Sequence, residues 1–243
     1  SLGVNAYYMF GQSMNIRTLN FNESSVNGIS SLSSVTEYNS IDVRNFRFRY
    51  GLQYFGTINK KHAFTLGGIF ENQAPMNGSF SKIVLNNGSD TIHYDNKFET
   101  PLVWGAGLTY KYDQKLLVGV DYTMQNWGKA LFFGKTDSLQ NRSKLAIGAE
   151  YIPDVRGRKY SDRIRYRAGF NVSDPYYKVN GSSPAKNFGI TFGVGLPLRN
   201  SATVVNASVE YGKVGASSML REDYLKLTFS AAFNEMWFFK RKL

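Results

Sequence analysis

A chain of 243 residues without cysteine has neither a disulfide framework nor a thiolate metal site, and its length suits one domain or a barrel of moderate size. No run of about 18 apolar residues occurs in it, which excludes a membrane-spanning helix. The net charge of +11 raises the question of nucleic acid, but the basic residues are spread over turns, loops and polar faces without a cluster, so no nucleic-acid partner is expected.

Alternation of apolar and polar residues dominates the rest, and a period of two means strand, because successive side chains leave a pleated backbone on opposite sides. Ten such segments are predicted at 2–12, 42–57, 62–73, 100–112, 116–126, 142–152, 163–173, 187–197, 202–212 and 223–235. The first, LGVNAYYMFG, is already in mid-pattern, so further N-terminal strands are expected to precede it. The second and third place Phe46, Phe48, Tyr50 and Leu52, then Phe64, Leu66 and Phe70, on one face. Trp104, Leu108 and Tyr110 continue that face, followed by Val118, Val120 and Tyr122, and it closes with Leu225, Leu227 and Phe229. Glycine is frequent (23) and proline scarce (6), as long strands require. A mean hydropathy of −0.32 does not contradict membrane burial, since only alternate residues of a barrel strand meet lipid. Every predicted strand has one apolar face, and tyrosine tends to end the runs where an aromatic girdle would stand. The expectation is therefore a single all-β domain over 1–243, an antiparallel up-and-down transmembrane β-barrel in the outer membrane of a Gram-negative bacterium, in contact with its lipid and lipopolysaccharide.

The connections alternate in length. Short turns are expected at 59–61, 113–115, 153–162 and 198–201, and long polar loops at 13–41, 74–99, 127–141, 174–186 and 213–222. Outer-membrane barrels keep turns short on the periplasmic side, so the last strand runs toward the periplasm. Asn87-Gly88 predicts a hairpin inside 74–99 that extends its flanking strands.

The opposite face of the strands is rich in glycine, hydroxyls and charge. Arg47 with Arg49 and Arg165 with Arg167 project in pairs from single strands, suited to holding a carboxylate, and Lys111 and Lys226 share their face. These six are the candidate ligand-binding residues of the lumen. The alternative for the arginines is an internal ion network with Glu71, Asp121, Glu150 and Glu210. Outer-loop aromatics, Trp127, Phe132, Phe133, Tyr176 and Tyr177, with Phe80, Tyr94 and Phe98, form either a landing patch for hydrophobic substrates or loop-to-loop packing. The only histidines, His62 and His93, lie apart at a turn and in a loop, which offers no catalytic dyad and no metal site. No enzyme activity, cofactor or metal is expected, and no helix is predicted.

The C-terminal third, NFGITFGVGLPLRNSATVVNASVEYGKVG followed by EDYLKLTFSAAFNEMWFFKRKL, resembles the end of Bacteroidota proteins in the FadL/TodX outer-membrane transport family. The shared features are the GLPL turn at 195–198, the VN…VEYG strand at 205–212, and a Tyr-Leu-Lys strand closing in Asn-Glu-x-Trp-Phe-Phe-Lys-Arg-Lys. The resemblance implies a fourteen-stranded barrel plugged by an N-terminal hatch, of which this chain would be the C-terminal ten strands. It implies a hydrophobic small-molecule ligand, long-chain fatty acids among them, entering the envelope through the barrel. Related barrels offer an alternative, a subunit or shuttle partner in a Bacteroidota protein-export assembly.

Overall fold

The computed structural model describes residues 1–20, 34–76, 79–85, 89–95, 98–132, 134–179, 181–198, 203–215 and 221–233. In chain order its strands are β1 (Leu2–Asn20), β2 (Ser34–Asn59), β3 (His62–Glu71), β4 (Ala74–Pro75), β5 (Ser79–Leu85), β6 (Ser89–Asp95) and β7 (Glu99–Thr100). They continue with β8 (Val103–Tyr112), β9 (Leu116–Gln125), β10 (Arg142–Tyr151), β11 (Arg165–Ser173), β12 (Asn187–Pro197), β13 (Val204–Gly215) and β14 (Arg221–Ala232). Ten of them form one antiparallel wall in the order β1-β2-β3-β8-β9-β10-β11-β12-β13-β14. Each pairs with its neighbour in the chain, except that β4 to β7 intervene between β3 and β8. This is the all-β, up-and-down architecture expected from the alternation, with each of the ten strands overlapping a predicted segment. Among the described residues, β1 pairs only with β2 and β14 only with β13.

Register decides the faces, because residues directly opposite one another point to the same side. Tyr50 stands opposite Phe70, and Phe70 opposite Trp104, on the outer side. Arg49 stands opposite Glu71, and Gly107 opposite both Gly67 and Asp121, on the inner side. The outer aromatic and aliphatic side chains are left uncovered, Phe46 at 62% exposure and Phe229 at 75%. A continuous apolar band of this kind exceeds what a water-facing surface carries and matches the lipid-facing side of a barrel.

Three expectations are corrected. The 13–41 region is not all loop: β1 runs on to Asn20 and β2 begins at Ser34, paired along the whole length of β1. The outward face changes there from lipid-like to mixed, with Gln12 Nε2 donating to Ser40 Oγ at 3.1 Å and Thr18 bonded to Thr36 at 3.2 Å, so no apolar stripe marks the strand in sequence. The hairpin in 74–99 exists as β5–β6, but it extends neither β3 nor β8. β5 instead pairs with β2, Phe80–Leu85 against Thr36–Ile41, on the edge that β3 leaves free above Arg49. Its Asn87-Gly88 turn lies outside the described residues. Finally, a four-residue helix, α1 (Tyr160–Arg163), and a single 3-10 turn at Trp127–Lys129 occur where no helix is predicted.

The turn joining β8 to β9 holds Asp113 at φ 46° and Gln114 at φ 56°. Two successive left-handed residues match the right-handed twist of the flanking strands, but a side chain is disfavoured there. Gln114→Gly is expected to stabilise the protein by about 1 kcal/mol, read as a higher urea midpoint in detergent micelles. An unchanged or lower midpoint would contradict the strain.

Candidate functional site: the inner face and its cap

At Glu71 the ladder of β3 ends and the chain turns inward. Asn45, Arg47 and Arg49 project from β2 to the inner side. Asn45 Nδ2 donates to the Pro75 carbonyl, while Arg47 Nη2 donates to the carbonyls of Asn72 and Pro101, each at 3.5 Å. Segments held by inward side chains lie inside the wall, so 72–76 and 98–102 form a cap on the lumen side of β2. The cap has its own two-stranded ladder, Ala74 opposite Thr100 and Pro75 opposite Glu99. Glu99 Oε2 accepts from Gln73 Nε2 at 2.7 Å and from the Leu131 amide at 3.2 Å, which ties in the 126–132 loop. Met76, Val103, Ala130 and Thr100 are buried here.

Two ion clusters use the four predicted arginines, at opposite ends of the wall. Near the long loops, Glu71 takes Arg47 Nη2 at 2.5 Å and Arg49 Nη2 at 2.9 Å, and the Arg47 and Glu71 side chains are only 11% and 5% exposed. Near the short turns, Arg167 Nε donates to Glu150 Oε2 at 2.6 Å and its Nη1 to Asn206 Oδ1 at 2.7 Å, with Arg165 3.6 Å from the same carboxylate. The arginines therefore sit with carboxylates of the neighbouring strand, as the ion-network alternative has it, and are not gathered around one ligand space. Lys111 and Lys226 join neither cluster. Lys226 is exposed and stands opposite Glu210, whose Oε1 accepts from the Tyr224 hydroxyl at 3.0 Å. Asp121 stands opposite Gly107, outside both clusters.

Beside the first cluster, the inner face opens into a hollow of about 410 Å³ over Gly3, Gly51, Gly67, Gly105 and Gly107, with Arg49 and Asp121 on its border. A Cβ at Gly67 would meet nothing within 4 Å. Ile69 lies among these glycines, opposite Gly51 and Gly105, and gives the hollow an apolar floor. Sequence reasoning missed it, although Ile69 shares the parity of Thr65 and Gly67. A second concavity, about 630 Å³, lies over Gly119, Gly148, Gly169 and Gly193 next to the Glu150–Arg167 pair.

The outer-loop aromatics fall into two groups. Trp127 packs on Tyr176 with centroids 5.5 Å apart, and Tyr176 meets Tyr177 edge-on at 5.6 Å. Phe132 instead meets Phe98 at 5.5 Å. Phe133 and the side chains of Phe80, Tyr94 and His93 lie outside the described residues. Loop backbones are also joined, the Gln140 amide to the Tyr176 carbonyl at 2.9 Å and the Lys178 amide to the Ser138 carbonyl at 3.0 Å. His62 Nδ1 bonds the Tyr110 hydroxyl at 2.5 Å, a local contact at a short turn.

One loop carboxylate supports this packing. Burial pushes Asp174 up, but the Ser143 hydroxyl bonded to it and the Lys186 ammonium at 3.5 Å outweigh that and hold it below its ordinary value. A lowered carboxylate contributes stability that is complete above the unfolded value of about 3.9 and is lost as pH falls through the lower native one. Acidification below pH of about 4 should therefore speed hydrogen exchange at the Lys178 and Ser182 amides, and Asp174→Asn should remove that pH dependence.

The fold resembles that of solved channels. Over 95% of this chain and 68% of the other, the structure superimposes on the CymD monoaromatic hydrocarbon channel with a TM-score of 0.60 at 15% identity. The toluene transporter TodX of Pseudomonas putida aligns over 81% of this chain and 52% of its own length, with a TM-score of 0.47 at 16% identity. At such identity the likeness to CymD is one of fold alone. No curated protein sequence matches the chain. The sequence profile of the BamG family, in contrast, covers residues 1–243, and this wall of ten strands with its inward cap thus belongs to the BamG family.

Proposed function

We propose that the chain forms the wall of an outer-membrane channel in a Gram-negative bacterium of the Bacteroidota, admitting long-chain fatty acids or other hydrophobic small molecules without catalysis, cofactor or metal. The observation that carries this reading is a break in the wall. β2 is paired with β3 at 49–59 and with β5 at 36–41, and among the described residues no strand pairs with that edge at 42–48. The cap lies on the inner side of this stretch, the glycine hollow is next to it, and Phe46 and Phe48 stand exposed on the outer side. An apolar molecule leaving the hollow by this route would pass beside the Arg47–Glu71–Arg49 cluster, whose charges are paired with one another, and reach lipid. The fold shared with a monoaromatic hydrocarbon channel supports the same class of cargo. Edge strands left unpaired in lipid are untenable, so in such a barrel β1 and β14, each paired on one side among the described residues, would need a further strand partner or each other.

One feature favours the second reading, a subunit or shuttle partner in a protein-export assembly. The outer ends of β1 and β2, joined by β5 and β6, form a four-stranded extension beyond the wall, with Met14, Ile16 and Leu19 more than half exposed. The test is native mass spectrometry of the full protein extracted from its own membrane in mild detergent, combined with uptake by reconstituted vesicles. Fatty-acid or aromatic adducts, together with uptake of oleate or toluene above empty vesicles, are expected. A ligand-free protomer that holds a stoichiometric protein and passes neither compound would establish the second reading instead.

A further inference from the structure

On the outer face, at the end of the wall that carries the short turns, β10 to β14 enclose an apolar groove of about 680 Å³. Its floor is made of small side chains, Ala149, Ala168 and Ala207, and its sides of Tyr151, Tyr166, Phe192 and Phe229. Ala149 stands opposite Ala168, and Tyr151 opposite Tyr166, so the groove runs straight down to the turn that links β10 to β11. That turn, residues 153–163, carries Arg156, Arg158, Lys159 and Arg163 against Asp154 and Asp162. The Asp154 carboxylate is used within the turn, accepting from the Arg156 amide at 3.0 Å. Among the described residues none of the four cations forms an ion pair, in contrast to the inner arginines, each of which has a glutamate. Arg163 Nε is shielded from solvent without a hydrogen-bond partner. Val155 and Tyr160, 43% and 45% exposed, give the same turn an apolar side.

We propose that the groove and this turn form a binding site for an anionic phospholipid of the leaflet on the short-turn side. An acyl chain lies along the alanine floor between the aromatic sides, and the phosphate sits among Arg156, Arg158 and Lys159. Tyr151 and Tyr166, with polar hydroxyls on apolar rings, mark the headgroup level at the mouth. The other described short turns carry less charge, Lys60 and Lys61 on one and Lys115 on the next, and neither opens onto the groove. The proposal rests on the membrane-barrel reading and is independent of what crosses the lumen.

The test compares retention of phosphatidylglycerol and phosphatidylethanolamine by the full protein, reconstituted with equal amounts of both, delipidated stepwise and weighed by native mass spectrometry. Wild type should keep phosphatidylglycerol over phosphatidylethanolamine by about tenfold, as a few interfacial cations provide. Arg156→Gln/Arg158→Gln/Lys159→Gln should abolish the preference. Lys60→Gln/Lys61→Gln/Lys115→Gln, which removes the same charge elsewhere on the rim, should leave it intact. Ala168→Phe, which fills the groove from an exposed position, should lower retention of both lipids. Equal retention by wild type, or equal loss in both triple variants, overturns the site in favour of diffuse attraction. A wild-type chain that never enters vesicles, seen as unshifted mobility on heating, would count against the membrane-barrel reading and not against this site alone.

Discussion

Glu71→Gln lowers the stability of the folded wall by about 3–5 kcal/mol, because it leaves a buried guanidinium without its counter-charge. Arg47 is the group at risk: its side chain is 11% exposed, and its remaining partners are two carbonyls at 3.5 Å. Arg49, at 41% exposure, still reaches water and adds less. The same substitution should free the cap, since Arg47 holds both Asn72 and Pro101. Urea unfolding in micelles measures the first effect, and limited proteolysis in 98–102 the second. The double variant Glu71→Gln/Arg47→Gln should recover part of the loss, as removal of both charges ends the uncompensated burial. A loss below about 1 kcal/mol in the single variant would show that water or another group already serves Arg47.

Gly67→Leu should do the opposite, leaving stability within about 0.5 kcal/mol while removing most of the uptake of hydrophobic compounds. A Cβ at Gly67 has open space, and the longer side chain would extend into the hollow beside Ile69. Gly105→Leu gives the contrast. There a Cβ would lie 3.0 Å from the Tyr122 carbonyl and 3.1 Å from Ile69, so overpacking should cost about 1–3 kcal/mol. Uptake that survives Gly67→Leu in a fully folded barrel would move the passage away from this hollow.

What the chain reveals before folding depends on which solvent imposes a pattern. Where lipid meets the wall, each strand must keep one apolar face, and Phe46-x-Phe48-x-Tyr50-x-Leu52 is legible at sight. Above Gln12 and Asp42 no such demand acts, so Ser13 to Asn20 reads as loop although it continues β1. The inner arginines are visible as charges, yet that Arg49 meets Glu71 and Arg167 meets Glu150 follows only from register. The cap is the least legible element, because the carbonyls of Asn72, Pro75 and Pro101 hold it, and a carbonyl leaves no mark in a sequence. Charge and face alone mark Lys111 and Lys226 as candidates, and among the described residues neither pairs within an arginine cluster.

The clasp at Arg47 also orders events in time. Its guanidinium bonds Asn72, which immediately follows β3, and Pro101, which comes just before β8. In the membrane barrel proposed above, the whole excursion between these strands would be delivered to the long-loop side before β8 joins β3. Closing so long a loop costs little more than closing a short one, since the entropy grows only with the logarithm of length. Arg47 can reach both carbonyls only after that delivery, so its two bonds form late. Limited proteolysis would meet loose 72–76 and 98–102 segments before that clasp closes and held ones after it.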